Sequence, residues 1–165
     1  MAVITLVLGG VRSGKSAVAE RLAAGHPEPV TYLATMEPGD DPDLAARIAA
    51  HRSRRPRHWR TADAGGDVAG TLLALDGTVL LDGLGALVAA TDDFRFDVEG
   101  LCRALCDRRG DTVVVSDEVG LGVHPSTESG RRFRDALGTV NQRVADCADE
   151  VLLVVAGRVL PLERP

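Results

Sequence analysis

Residues 9–16 read Gly9-Gly10-Val11-Arg12-Ser13-Gly14-Lys15-Ser16 and fit G-x-x-x-x-G-K-[ST], a loop built to hold phosphates. Its glycines let the backbone curl until successive N–H groups face one anion. A helix beginning near Lys15 adds its positive end to the same spot. Lys15 then reaches the β- and γ-phosphates of a nucleotide, and the Ser16 hydroxyl holds Mg²⁺. Lys15 is the sole lysine among 19 Lys+Arg. A compact ammonium suits this loop where a planar guanidinium does not.

A second group of residues with chemistry lies between positions 41 and 63. Helical spacing places Leu44, Ile48, His51 and Arg55 on one face, with Arg52 and Arg54 alongside before Pro56 stops the helix. An imidazole flanked by arginines suits a nucleophile whose neighbours neutralise phosphates. Asp82 closes the apolar run Thr78–Leu81, the Walker B arrangement in which an acid holds Mg²⁺; its alternative role is to cap the helix over 83–90. Thr35 and Met36 follow the strand over 29–34, and ligands of open α/β sheets sit beyond such strand ends. Asp117 and Glu118 end a further buried run and either serve as metal ligand or general base, or position the loop that follows.

These groups need a scaffold, and the chain supplies one. Apolar runs at 2–8, 29–34, 78–82, 112–118 and 151–156 read as strands, separated by helical patterns at 15–23, 42–52, 68–75, 83–90, 97–109 and 131–144. Gly110 is expected to stop the helix over 97–109, and Gly138 to mark a close packing contact. Gly157-Arg158 turns the last strand into an edge hairpin over 159–162. The alternation predicts one α/β domain over residues 1–165 with a mainly parallel sheet. Aromatics make up 3% of the chain, so Val, Leu and Ala must fill the core, with Trp59 expected to pack rather than stack on a base.

The net charge of −5 hides six arginines and no acid between Leu44 and Ala62. One basic patch on an acidic body predicts a local anion site and argues against a nucleic-acid footprint. No apolar run approaches a membrane span and no signal peptide precedes the loop, so a cytoplasmic protein is expected. Cys102, Cys106 and Cys147 match neither a disulfide framework nor a zinc site; the first two, spaced i, i+4, are expected as core thiols.

Six stretches together go further: GGVRSGKS at 9–16, YLAT at 32–35, ARIAAHRSRRPRHWRTAD at 46–63, LLDGL at 80–84, SDEVGLGVHP at 116–125 and FRDALGTVNQRVADCADEVLLVVAG at 133–157. Their order and spacing resemble the bifunctional adenosylcobinamide kinase / adenosylcobinamide-phosphate guanylyltransferase family of cobalamin biosynthesis. The resemblance implies a P-loop, RecA-like fold assembled as a homotrimer. It implies two reactions, with GTP, ATP, adenosylcobinamide and adenosylcobinamide phosphate as substrates and Mg²⁺ as cofactor. One phosphorylates adenosylcobinamide; the other moves GMP from GTP, through a guanylylated histidine matching His51, onto that phosphate to give adenosylcobinamide-GDP. Nucleotide contacts carry onto Gly9 to Ser16, onto Ala34, Thr35 and Met36, onto Arg52, Ser53, Arg54 and Arg55, and onto Asp63 and Asp82, with Ser16 and Asp82 at the metal. The family's S-N-E-V-G reads Ser116-Asp117-Glu118-Val119-Gly120 here, an acid in place of an amide. The competing expectation is a P-loop kinase for another small alcohol, with no covalent nucleotidyl intermediate.

Overall fold

A computed structural model describes residues 2–35 and 55–164, and Ala49 and Ser53 between them. The expected helix over 42–52 therefore lies outside the described residues, apart from Ala49.

The strands are β1 (Ile4–Gly9), β2 (Val30–Ala34), β3 (Arg60–Asp63), β4 (Thr78–Asp82), β5 (Thr112–Asp117), β6 (Glu150–Val155) and β7 (Arg158–Leu162). They form one sheet in the order β3-β2-β4-β5-β1-β6-β7. All neighbours are parallel except β6 and β7, which form the expected antiparallel edge hairpin. The helices described are α1 (Lys15–Ala24), α2 (Val68–Ala74), α3 (Leu84–Ala89), α4 (Val98–Asp107) and α5 (Glu128–Cys147).

Parallel strands covered on both faces read as continuous apolar runs because both side-chain directions are buried. Leu6, Leu33, Val79, Leu81 and Val114 point to one face, where Leu72, Leu84, Leu101, Leu105, Leu137 and Val144 from α2 to α5 meet them. Val7, Val30, Tyr32, Leu80, Val113 and Val115 point to the other, against Val18, Ala19 and Ala23 of α1. Trp59 packs on that second cluster, as expected. No helix among the described residues is long and apolar enough to cross a membrane.

Four sequence expectations are corrected. Strand β3 was not anticipated: Arg-Thr-Ala-Asp has no apolar alternation, and it is a strand because its backbone pairs with β2 at the sheet edge. Helix α4 ends at Asp107 rather than at Gly110, because Arg108 turns extended and folds its side chain into nearby carbonyls. Helix α5 starts at Glu128, before Arg131, with Thr127 Oγ1 accepting from Gly130 N at 3.1 Å as its N-cap. A Cβ on Gly138 would meet open space, so that glycine marks no close contact. In addition, Cys102 is half-buried against the core but Cys106 is exposed, so only one of the pair is a core thiol.

Candidate active site at the carboxyl ends of the strands

The phosphate loop is set by the backbone of β1 and by the far end of the chain. Ser13 N donates to Gly10 O at 3.2 Å and closes the curl. Arg12 and Gly14 take left-handed φ of 57° and 93°. At Gly14 glycine is required twice over, since a Cβ there would also lie 3.3 Å from Gly157 Cα. Gly157 N donates to Ser13 O at 2.7 Å, so the β6–β7 turn braces the loop. Helix α1 starts at Lys15 with Gly14 as a cap that has no side chain, which leaves the helix's positive end for an external anion. Val11 and Arg12 are exposed at the loop tip, and Ser13 is buried beneath it.

Register brings the other predicted residues to the same edge. Gly9 lies opposite Asp117 on one side and Val154 on the other. Ala34 lies opposite Asp82, and also opposite Asp63. Lys15 Nζ reaches Asp117 Oδ1 at 2.7 Å and Gly10 O at 3.3 Å. Ser16 Oγ donates to Asp82 Oδ1 at 3.4 Å. Tyr32 OH donates to Asp82 Oδ2 at 3.2 Å, and Thr35 Oγ1 donates to Asp82 O at 2.9 Å. Arg55 lies over the Tyr32 ring, its Cζ 3.1 Å from the centroid. Burial, and then the Asp82 carboxylate, push the Tyr32 phenol well above its ordinary value, so it stays protonated and donates.

Asp82 is therefore no helix cap. The cap of α3 is Gly83, at φ 114° and with no side-chain hydrogen bond. The carboxylate instead faces the Ser16 hydroxyl, as a Walker B acid does. A hydroxyl and a carboxylate oxygen converging beside a phosphate loop are the sparse, all-oxygen protein ligands that Mg²⁺ takes when phosphates complete its shell. The donor set fits that ion. Among the described residues no group of three or more His, Cys, Asp or Glu could hold a metal, which a site of this sparse kind does not need.

The carboxyl edge thus unites Gly9 to Ser16, Ala34, Thr35, Asp82 and, through Tyr32, Arg55. Asp63 sits in register at the edge, but its Oδ1 accepts from Gly65 N at 2.9 Å and shapes the turn after β3. Ser53 is exposed. Met36, His51, Arg52 and Arg54 lie outside the described residues. Glu118 is a loop-positioning residue: its carboxylate accepts from Gly120 N at 2.7 Å and Leu121 N at 3.0 Å. A cleft of about 550 Å³ lies at the opposite end of the sheet, between Leu75, Gly77, Arg108 and Asp111, and none of these site residues borders it.

One participant is hidden in the sequence, and a second is left open by it. Tyr32 reads as an apolar strand residue; that it is the sole tyrosine, two positions before a strand end, was the available hint. Asn141 reads either as a functional amide or as an exposed polar residue, and its Oδ1 accepts from Ser116 Oγ at 2.6 Å while its Nδ2 donates to Asp117 O at 3.0 Å. Nothing local announces that contact.

Comparison with known proteins places this geometry. A solved KaiC-like protein from Pyrococcus horikoshii superposes with a TM-score of 0.52 at 14% identity, covering 92% of this chain and 71% of that one, which speaks for the fold alone. The chain is 42% identical over 169 residues to the bifunctional adenosylcobalamin biosynthesis protein CobP of Pseudomonas aeruginosa, with 96% of each covered. It is 39% identical over 174 residues to the corresponding CobU protein of Salmonella typhimurium, covering 92% of this chain and 95% of the relative. The sequence model of the family described as cobinamide kinase / cobinamide phosphate guanyltransferase matches residues 5–162. With a phosphate loop, a strand-end acid facing its serine and a match over nearly its whole length, the chain belongs to the cobinamide kinase / cobinamide phosphate guanyltransferase family.

Proposed function

We infer that this chain is a bifunctional transferase that phosphorylates adenosylcobinamide with a nucleoside triphosphate and then transfers GMP from GTP to the product, giving adenosylcobinamide-GDP. The family match over residues 5–162 carries this reading, and the convergence of Lys15, Ser16 and Asp82 at one sheet edge supports it.

The division of labour follows from position. Backbone N–H groups of the loop and the start of α1 bind the triphosphate, and Lys15 spreads positive charge over the oxygens where negative charge develops. Ser16 and Asp82 are the groups that would hold Mg²⁺. When bound, the ion neutralises phosphate charge and orients the chain of phosphates. Tyr32 and Thr35 fix the Asp82 strand end from two sides, so the carboxylate has one orientation. Ala34, Met36 and Asp63 border the nucleotide.

For the transfer step, His51 acts as the nucleophile. Its neutral imidazole nitrogen bonds to the α-phosphorus of GTP, the bond to pyrophosphate breaks, and the phosphate oxygen of adenosylcobinamide phosphate later displaces the imidazole. Arg52, Arg54 and Arg55 neutralise the phosphates, and Ser53 offers them a hydroxyl donor. The same reading takes the enzyme to be cytoplasmic and a homotrimer.

Intact-mass measurement after incubation with GTP and Mg²⁺ tests the covalent step. A GMP adduct in the native chain that is absent in His51→Ala is expected. No adduct, or one that persists in the variant, leaves the simpler small-alcohol kinase standing.

A further inference from the structure

The Lys15 ammonium already has an anion of its own. Asp117 Oδ1 lies 2.7 Å from Nζ, with the two side chains 16% and 41% exposed, so the pair is partly shielded from water. The ammonium has three donors. One points at Gly10 O and one at this carboxylate. Any phosphate that reaches Lys15 comes within a few ångströms of Asp117, and like charges at that range oppose each other.

The carboxylate is set there by structure that does not depend on its charge. Register fixes Asp117 beside Gly9. Its carbonyl accepts from Asn141 Nδ2, and Asn141 in turn accepts from Ser116 Oγ. The loop beyond is held by Glu118, not by Asp117. On the far side, a Cβ added to Gly85 would lie 3.2 Å from Asp117 Oδ2, so the glycine in the first turn of α3 leaves the carboxylate its room.

We propose that Asp117 is a positioning residue for nucleotide exchange, whose carboxylate competes with the substrate's phosphates for the Lys15 ammonium. Binding is then the exchange of one anion for another, and re-formation of the Lys15–Asp117 pair drives the product phosphates out. The carboxylate weakens the nucleotide complex and speeds turnover. An enzyme that must release a diphosphate from one reaction and pyrophosphate from another gains from both effects. This rests on the phosphate loop binding nucleotide as inferred above.

The test is calorimetric titration of the full chain with GDP plus Mg²⁺, which offers His51 no pyrophosphate leaving group, and separately with inorganic pyrophosphate, alongside steady-state kinetics. Asp117→Asn keeps the shape and removes the charge. If the carboxylate holds the ammonium about nine-tenths of the time, the variant binds both ligands about tenfold tighter. Its KM and kcat fall together and pyrophosphate inhibits it more strongly. Asp117→Ser removes the same charge and moves affinity in the same direction, and Asp117→Glu returns it toward the native value. Equal or weaker binding by both neutral variants overturns the proposal, because the carboxylate then serves the bound nucleotide. Loss of kcat at unchanged affinity overturns it too, assigning Asp117 to proton transfer. If the native chain itself binds neither GDP nor pyrophosphate, the functional reading fails and takes this proposal with it.

Discussion

At the amino end of the sheet Arg108 donates to Gly110 O, Asp111 O and Thr112 Oγ1 at 2.6 to 2.8 Å, and to Gly77 O and Leu75 O at 3.0 and 3.3 Å. At the carboxyl end the Lys15 ammonium has one carboxylate and one carbonyl at 3.3 Å. The same contrast holds for the acids. Asp111 at the amino end accepts from Val3 N and pairs with His26, both at 2.8 Å, and Asp149 accepts from Ile4 N at 2.8 Å. Asp82 at the carboxyl end meets hydroxyls at 3.2 and 3.4 Å. One end ties its charges into dense networks that hold strand starts together, with Arg108 Nε left without a partner among the described residues. The other holds the Lys15 ammonium on a partly exposed carboxylate, an exchangeable partner of the kind a site that must trade charge for substrate requires.

Three changes probe that contrast. The largest effect belongs to the carboxyl end: Lys15→Met is expected to cut turnover by about 10²- to 10³-fold. Its unfolding midpoint should stay near the native one, since little of the fold leans on the ammonium. A large drop in melting temperature would erase the distinction between the two ends. Next, Arg108→Met leaves at least four carbonyls near one another without their donor. A loss of about 3 kcal/mol is expected, read as a fall in melting temperature of roughly 10 °C. Nucleotide affinity at low temperature should persist, and its loss would mean that the two ends are coupled.

The smallest effect is a pH dependence. Burial alone would raise the Asp111 carboxyl, but the Val3 N–H, His26 and Arg108 outweigh it and hold it below the ordinary carboxylate range. A depressed folded-state value means stability that is present above about pH 4 and is lost as acid titrates the group below its unfolded value. Urea unfolding between pH 5 and 3 should show a shallower acid loss for Asp111→Asn than for the native chain. Parallel slopes would remove Asp111 from the network.

Much of the carboxyl end was legible beforehand. The phosphate loop carries its mechanism in its spacing, and Asp82 follows an uninterrupted apolar run that only a buried strand explains. Strand β3 was not legible because an exposed edge segment pairs through its backbone and leaves no side-chain period. The Lys15–Asp117 pair needs the β1–β5 register, which sequence spacing does not encode. The role of Arg108 was hidden for a related reason: one buried guanidinium gathers carbonyls from two separate loops, and in the sequence it is one of two adjacent arginines at a helix end. Thr127, by contrast, is of a residue type that favours the N-cap, and its hydroxyl takes the Gly130 N–H.

The clasp between Gly157 and Ser13 bears on how the enzyme is made. In synthesis order the phosphate loop at residues 9–16 comes well before its brace at Gly157. During synthesis the nascent chain carries the loop's letters without its final shape, and the capacity to grip a nucleotide matures only when the β6–β7 hairpin zips onto the sheet.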